Sequence, residues 1–542
     1  MKFKKKAALS SSNPNFISIS EWIKHAPYTI PLNGYDTQFL PLCNQVLKIL
    51  NGYGFLQDGK TSLNLAKRKE LAIVLVAYFE DFINDIGIWK AFVTTNKELY
   101  GFALPLLDLS EYEEDYLNKE DLAYIIFHFI HKHNEPCLFS PNGAVLDVAK
   151  EIFDYLEPMI DNIEPTAYYD RYLAVKSTDN YFDFKDKYVW FGTQSYLMGV
   201  ESKIGLAKKE EEIIDSVTKT PAMLPYFEQL LYQELDNHIF SHRSSFSALN
   251  TFDWLALIIK SDEATKNQVK NLTYRHSGAF IYSKIKDKDF FVYTNIITNR
   301  EYLVYRLSVN GDNKTVEPNT TTFEMNLIFW DKKWWQTGVA MGFDKKGYTK
   351  PMTKPHLVPW IFSQEEQDKR RAASDKMYNS HVAFFGSPLY VSKDIEDLAT
   401  QLINSNHFYN TGEMQNTGKE VALQIENQKK SFEKQFGKNE KGVSLFFVKG
   451  FGQVFDKEID TIIQLMELEN TTQDESDDLF YRLVYTIYPE LAAYLIETYP
   501  THNIKAPFIP TVEKTLASMP FLYRLLTPER FGPQTPMIVY AK

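Results

Sequence analysis

Apolar residues fall on a helical period through most of the first half of the chain. From Tyr35 to about Leu156 this spacing predicts helices over Phe39–Leu50, Ser62–Thr94, Lys119–His133 and Ala144–Leu156. Ser18 and Glu21 have capping-box spacing and predict a short helix through Trp22. Asn118 ahead of Glu120 and Asp121 reads as an N-cap followed by acidic first-turn residues, which suit the helix dipole. The stretches around Pro105 and Pro136–Pro141 read as turns. A second helical region runs from about Pro165 to Asn271, clearest at Ile213–Thr218, Met223–His242 and Phe246–Lys260.

Near Gly278 the period changes to two. Glu301–Ser308 places Leu303, Tyr305 and Leu307 on one face, and Thr322–Trp330 sets Phe323, Met325, Leu327 and Phe329 against Thr322, Glu324, Asn326, Ile328 and Trp330. With turn residues between the runs, Gly278–Phe343 is expected to form an antiparallel meander or small barrel of about five strands. Lys345–Arg371, with Pro351, Pro355 and Pro359, reads as a connector. Beyond it, strands at His381–Phe385 and Val443–Val448 are expected to alternate with helices at Ile395–Asn404, Lys419–Gln435, Asp456–Leu468 and Leu479–Thr498. The fold class is therefore α+β: a helical N-terminal half, a central β meander or small barrel, and a mixed α/β C-terminal domain. The expected divisions are a flexible tail at 1–17, helical regions at 18–160 and 161–272, the β-rich module at 273–348, a linker at 349–380 and the C-terminal domain at 381–542.

Composition sharpens this picture in three ways. At 542 residues the chain is too long for one core, and 44% hydrophobic with 24% charged residues is a globular balance. The net charge of −11 argues against a protein whose whole surface meets nucleic acid. Two cysteines, Cys43 and Cys137, with no CxxC pair exclude a disulfide framework and fit a reducing compartment. Lys4–Lys6 resemble the start of a signal peptide, but no apolar stretch follows, and runs such as Leu71–Phe79 are too short for a membrane helix. A cytoplasmic location is expected, with no membrane contact.

Candidate chemistry is sparse. Glu234, His238 and His242 recur every four residues, so on a helix they share a face where a carboxylate and two imidazoles could hold zinc or iron. This is not HExxH, because Ile239 follows His238. Such a stripe is more often solvated and ion-paired. His128, His131 and His133, with Glu135 and Cys137, are the densest group of metal-capable side chains, but histidines closing an apolar helix also suit its dipole. Glu80 and Asp81 interrupt an apolar helix and are expected to be buried and paired, most simply with a lysine or arginine of a neighbouring helix. Gly450-Phe451-Gly452 between an expected strand and helix reads as a plain βα turn. Serine-hydrolase, P-loop, kinase and Rossmann motifs are absent, and no cofactor is expected. Between Asn271 and Lys350, 12 basic residues meet 8 acidic ones, so this segment is basic inside an acidic chain. Lys284, Lys286, Lys288, Lys332, Lys333, Trp334 and Trp335 offer cations and aromatics of the kind a small barrel uses on single strands. Against that stands the plain alternative of a barrel core edged by protective lysines.

One string of short motifs is more specific than its parts. It comprises Trp22-Ile-Lys-His-Ala-Pro27-Tyr28, Asp36, Leu42-Cys43-Asn44, Tyr78-Phe79-Glu80-Asp81, Gly87-Ile88-Trp89-Lys90-Ala91-Phe92, Leu99-Tyr100-Gly101 with Leu104-Pro105, and Asn118-Lys119-Glu120-Asp121-Leu122. In order and spacing it resembles an uncharacterised bacterial family, a domain of unknown function, over roughly Ser20–Leu156. The resemblance implies no activity, cofactor or site residue. The segment Phe290–Leu307 is similar to the strand–turn–strand of small bacterial barrels, which implies a fold for the module alone. A cytosolic binding or scaffolding protein with a protein partner is the expectation; nucleic-acid binding through the β module and a hydrolase with a scattered carboxylate and histidine site are the alternatives.

Overall fold

The computed structural model describes residues 15–134, 138–273, 275–296, 299–309, 318–344, 364–413, 419–438, 440–450 and 452–531. Glu135 and Cys137, most of the expected tail and most of the expected connector lie outside these residues. The chain divides into two compact units. One comprises Met1–Thr273 with Phe280–Phe343, the other Tyr274–Ala279 with Asp344–Lys542.

The first unit opens with twelve α-helices among the described residues. These are α1 (Ile19–Trp22), α2 (Asp36–Leu50), α3 (Leu65–Asn84), α4 (Ile88–Tyr100), α5 (Lys119–His133), α6 (Ala144–Leu156), α7 (Tyr168–Leu173), α8 (Tyr181–Gln194), α9 (Gly199–Lys219), α10 (Phe227–Ser241), α11 (Thr251–Ile258) and α12 (Glu263–Asn271). Helix α5 is the central one: every residue from Glu120 to His131 is buried. The histidines at its end are thus not a solvated dipole cap, since His128 and His131 are sealed in the interior.

The expected helix Ser62–Thr94 is two helices. Asp85 closes α3 in the left-handed region (φ 47°), and Gly87 enters α4 at φ 91°, which a glycine adopts without strain. The apolar period runs on across this break, so periodicity alone does not reveal it. Similarly, Met223–His242 begins as a 3-10 turn over Pro221–Tyr226 before α10, and Phe246–Lys260 contracts to α11, started by the Asn250 cap.

Strands β1 (His276–Ile285), β2 (Phe290–Asn295), β3 (Glu301–Tyr305), β4 (Thr321–Trp330) and β5 (Lys333–Asp344) close into a barrel in the order β1-β2-β3-β5-β4. A meander would keep sequence order; here β5 inserts beside β3 and runs parallel to it, pairing Trp334 with Val304. Phe280, Tyr282, Phe291, Tyr293, Tyr302, Val304, Met325 and Leu327 fill the core. The inward face of β3 is Tyr302 and Val304, not the Leu303–Tyr305–Leu307 face, and Leu307 lies exposed on a 3-10 turn. On β4 both faces are largely buried, so the expected alternation is blurred.

From Phe280 to Phe343 the barrel is part of the first unit, and aromatics attach it to the helices. Trp330 stacks on Phe184 of α8 at 4.3 Å, and its indole donates to the Asp179 carbonyl at 2.9 Å. Trp335 packs on Tyr181, centroids 4.9 Å apart. The Thr337 hydroxyl donates to Asp236 of α10, and the Val339 amide donates to Gln233 Oε1 at 2.8 Å. Between them Gly338 (φ 64°) comes so close that a Cβ would lie 2.8 Å from Asp236 Oδ2.

The second unit contains α13 (Gln364–Phe385), β6 (Leu389–Val391), α14 (Ile395–Thr411), α15 (Lys419–Phe436), β7 (Ser444–Val448), β8 (Gly452–Asp456), α16 (Ile459–Glu467), α17 (Gln473–Tyr481), α18 (Pro489–Thr498) and α19 (Val512–Leu526). Its antiparallel sheet has the order β6-β7-β8, and Ile395, Leu398, Leu402, Phe432, Val443 and Leu445 form a core beside it. His381–Phe385, expected as a strand, is the last turn of α13, where His381 and Phe385 touch at 4.6 Å as a helical i, i+4 pair. The glycines at 450 and 452 flank a β7–β8 hairpin rather than a βα turn, so Asp456 ends a strand instead of opening a helix. Leu479–Thr498 is divided by a π turn over Arg482–Thr486 and restarts at Pro489, which suits a first helical position.

Candidate functional site

The break between α3 and α4 is built around Asp81. Its carboxylate accepts from the Gly87 and Trp89 amides at 2.8 Å and from the Ile88 amide at 3.2 Å, and the Tyr196 hydroxyl donates to it at 2.6 Å. Asp81 therefore caps α4 from the preceding helix, satisfying amides that a helix start leaves unpaired. Burial pushes its carboxyl up, although Tyr196 and the three amides pull against that rise.

Turning the chain here leaves a cavity of about 260 Å³ between the end of α3, the start of α4, the 112–116 loop and the first turn of α5. Tyr78, Trp89, Val93 and Tyr112 supply much of its wall, and Asp121 lies in its floor. Lys90 pairs with Asp115 at 2.7 Å at the rim, and Lys97 pairs with Glu114. Asn118 fixes the loop by accepting from the Glu113 amide at 3.0 Å and donating to the Glu113 and Tyr116 carbonyls.

Asp121 is the chemically unusual member. It is 1% exposed; Oδ2 accepts from the Tyr78 hydroxyl at 2.6 Å, and the Trp89 indole and Tyr112 hydroxyl also lie against the carboxyl. Burial lifts its carboxyl to about 7, while Tyr78, Trp89, Tyr112 and Asn118 oppose the rise. The buried Trp89 indole N–H lies against this carboxyl outside full hydrogen-bond geometry. The cavity wall thus gathers three donors, Tyr78, Trp89 and Tyr112, around one buried carboxyl.

A second cavity of about 520 Å³ is lined by Lys24, Lys69, Ser195, Tyr196 and Lys203. Its polar groups are better answered: Lys203 pairs with Glu70 at 2.6 Å, Lys69 with Glu21 at 3.4 Å, and the Ser195 hydroxyl donates to the Phe191 carbonyl.

The sequence-derived candidates are placed as follows. Glu80 is buried, taking His25 Nε2 at 2.6 Å and the Tyr35 hydroxyl at 3.0 Å, so its partners are an imidazole and a phenol instead of a lysine or arginine. His238 and His242 come together as stacked rings, centroids 4.4 Å apart, but Glu234 does not join them. Glu234 accepts from the Asn237 side chain, His238 bonds Ser202, and His242 lies beyond α10 with Nε2 3.5 Å from Glu201 Oε2. Burial and the neighbouring His242 lower His238 to about 3. Among the described residues no three His, Cys, Asp or Glu side chains are arranged to hold a metal ion.

His128 meets Glu201 Oε1 at 3.1 Å and Ser245 Oγ at 2.7 Å, and Ser245 Oγ donates to Glu201 at 2.6 Å. This is not a nucleophile triad: serine and carboxylate share one imidazole nitrogen, whereas a relay needs opposite nitrogens, and all three groups are buried. Burial pushes Glu201 up, but Lys132, His128 and His242 more than offset it and hold the carboxyl well below its usual range.

On the barrel, Lys284, Lys286 and Lys288 are exposed around the β1–β2 turn and Lys332 at the β4–β5 turn, while Lys333 pairs with Asp331 at 2.8 Å. Trp335 is buried, and Trp334 packs between Tyr302 and Phe329 at 5.0 and 5.1 Å, so these rings are occupied by the fold.

The site and fold define an α+β protein with a small polar cavity inside its helical half. The chain belongs to the family described as a protein of unknown function (DUF3843), which matches residues 17–312. No curated protein and no solved structure matches it. Three segments of the motif string, around Tyr78–Asp81, Gly87–Lys90 and Asp121, line this cavity. Sequence reading placed Asp121 only as a helix-start acid, because Tyr78 and Trp89, which lie against its carboxyl, are 43 and 32 positions upstream. Among the described residues no helix is long and apolar enough to cross a membrane.

Proposed function

We propose that this is a small-molecule binding protein of the bacterial cytoplasm whose ligand occupies the cavity between α3, α4 and α5. The observation that carries this reading is the buried Asp121 carboxyl in the lining of this cavity, pushed up to about 7 by burial. A carboxyl so perturbed inside a cleft marks a candidate functional site. Binding is favoured over hydrolysis because no serine, cysteine or histidine lines the cavity among the described residues, and both Asp81 oxygens are engaged by backbone amides and Tyr196. Sparse cysteine supports the reducing compartment.

A thermal-shift screen of the full chain against small molecules of varied charge tests the reading. Thr94→Trp places a large ring at the cavity wall, and compounds that raise Tm in the unaltered protein are expected to lose that effect in this variant. A screen in which every stabilising compound acts equally on both proteins overturns the reading.

A further inference from the structure

We propose that two copies of this chain pair antiparallel through the α9–α10 hairpin, the apolar tip of each seating in the cavity of about 520 Å³ at the base of the other. The two helices run back along each other. Gly205 of α9 faces the His238 ring of α10, His238 bonds Ser202 at 2.9 Å, and Ser216 at the far end meets Met223. Among the described residues from Lys203 to Leu235, Val217 alone is buried. Ile204, Ile214, Leu224 and Tyr226 are 39 to 57% exposed, and apolar surface gathered in this way marks a contact with another chain.

The charges of α9 say which chain. Lys203 is taken by Glu70, Lys209 by Glu212 and Asp215 by Lys219. Among the described residues, that leaves Lys208 before the middle of the helix and Glu210 and Glu211 after it, all exposed. A two-fold axis across residue 209 sets Lys208 of each copy against Glu210 and Glu211 of the other, and Ile204 against Ile214. A parallel pairing sets like charges together. Self-complementarity of this kind is what a two-fold contact between identical chains requires. Residue 209 is also midway along α9, which runs from Gly199 to Lys219, about 30 Å at 1.5 Å per residue. The same axis therefore lays the tip of one hairpin at the start of α9 in the other. Leu65, Ala66, Ile73 and Val74 of α3 line the cavity there with Gly199 and Val200. Most of its polar groups already answer one another, so it suits Leu224 and Tyr226 better than a charged ligand. Its Lys24 has the opposite sign to Glu228, beside the tip.

Sedimentation equilibrium of the full chain at micromolar concentrations tests the pairing, with a dimer expected. Leu224→Lys at the tip and Ala66→Asp at the cavity both alter exposed positions, so each variant is expected to keep its Tm and to weaken the dimer about tenfold or more. Leu257→Lys, on the exposed face of α11, is expected to leave it unchanged. An equal mixture of the tip and cavity variants regains one intact tip–cavity contact and is expected to associate more tightly than either variant alone. A chain that stays monomeric overturns the proposal, as does a dimer indifferent to both variants. No gain on mixing overturns the reciprocal seating of tip and cavity.

Discussion

Asp121 loses its water on folding, and the Tyr78 hydroxyl at 2.6 Å, with Trp89 and Tyr112 beside it, only partly makes up for that loss. Its carboxyl therefore keeps its proton to about pH 7 in the folded chain, against an ordinary value of 3.8. Between these values the folded state binds the proton that the unfolded state has released, so this group lowers stability as pH rises from about 4 to about 7. The titratable groups named around it are Tyr78, Tyr112 and Tyr196, all pushed upward by burial, and Asp81, raised in the same direction. Asp121→Asn is expected to flatten this slope and to gain on the order of 2 kcal/mol at pH 8, read from urea midpoints at pH 5 and pH 8. Glu201 has the opposite sign: its carboxyl is depressed, so its contribution is present above the ordinary value of 4.5 and is lost as pH falls. Glu201→Ala leaves His128, His242 and Lys132 without their buried carboxylate and is expected to cost about 3 kcal/mol or more in a urea melt at pH 7. The burial of Glu80 and Asp81 was legible, because two acids in an apolar run have nowhere else to go. Their partners were not, since His25 lies 55 residues from Glu80 and Tyr196 lies 115 from Asp81.

At the scale of elements, one carboxylate decides whether the chain turns after Asn84. Asp81→Ala removes the acceptor of three α4 amides and is expected to cost about 1–2 kcal/mol, as a strong cap does. Hydrogen exchange should speed up at Gly87, Ile88 and Trp89 ahead of the rest of α4, and unchanged protection there would show that the cap is dispensable. α5 and α6 were legible to the residue because their apolar periods end at turn signals. The α3–α4 break was not, because Ile86, Ile88 and Phe92 continue the apolar supply across it and only the backbone at Asp85 and Gly87 records the change. The inward face of β3 was hidden for a related reason: every residue from Tyr302 to Tyr305 is apolar or aromatic, so alternation names two candidate faces and the neighbouring strands choose.

At the scale of the molecule, the barrel and the helical half share one unit through Trp330, Trp335 and the Gly338 contact, while the second unit has its own core. Gly338→Ala forces a Cβ against Asp236 and Gln233 in a strained backbone region and is expected to cost a few kcal/mol. Calorimetry should show that loss in one unfolding transition and leave the other unmoved; equal shifts in both would contradict separate cores. By itself the sequence determined the α+β class, most helices and the position of the five-strand module, because those follow from local periods and turn chemistry that a few neighbouring residues carry. Only the tertiary structure decided the insertion of β5 beside β3, the helix break at Asp81 and the cavity around Asp121. Each of these depends on contacts between residues far apart along the chain, and a carboxyl buried among donors from other elements exists only once all its neighbours are in place.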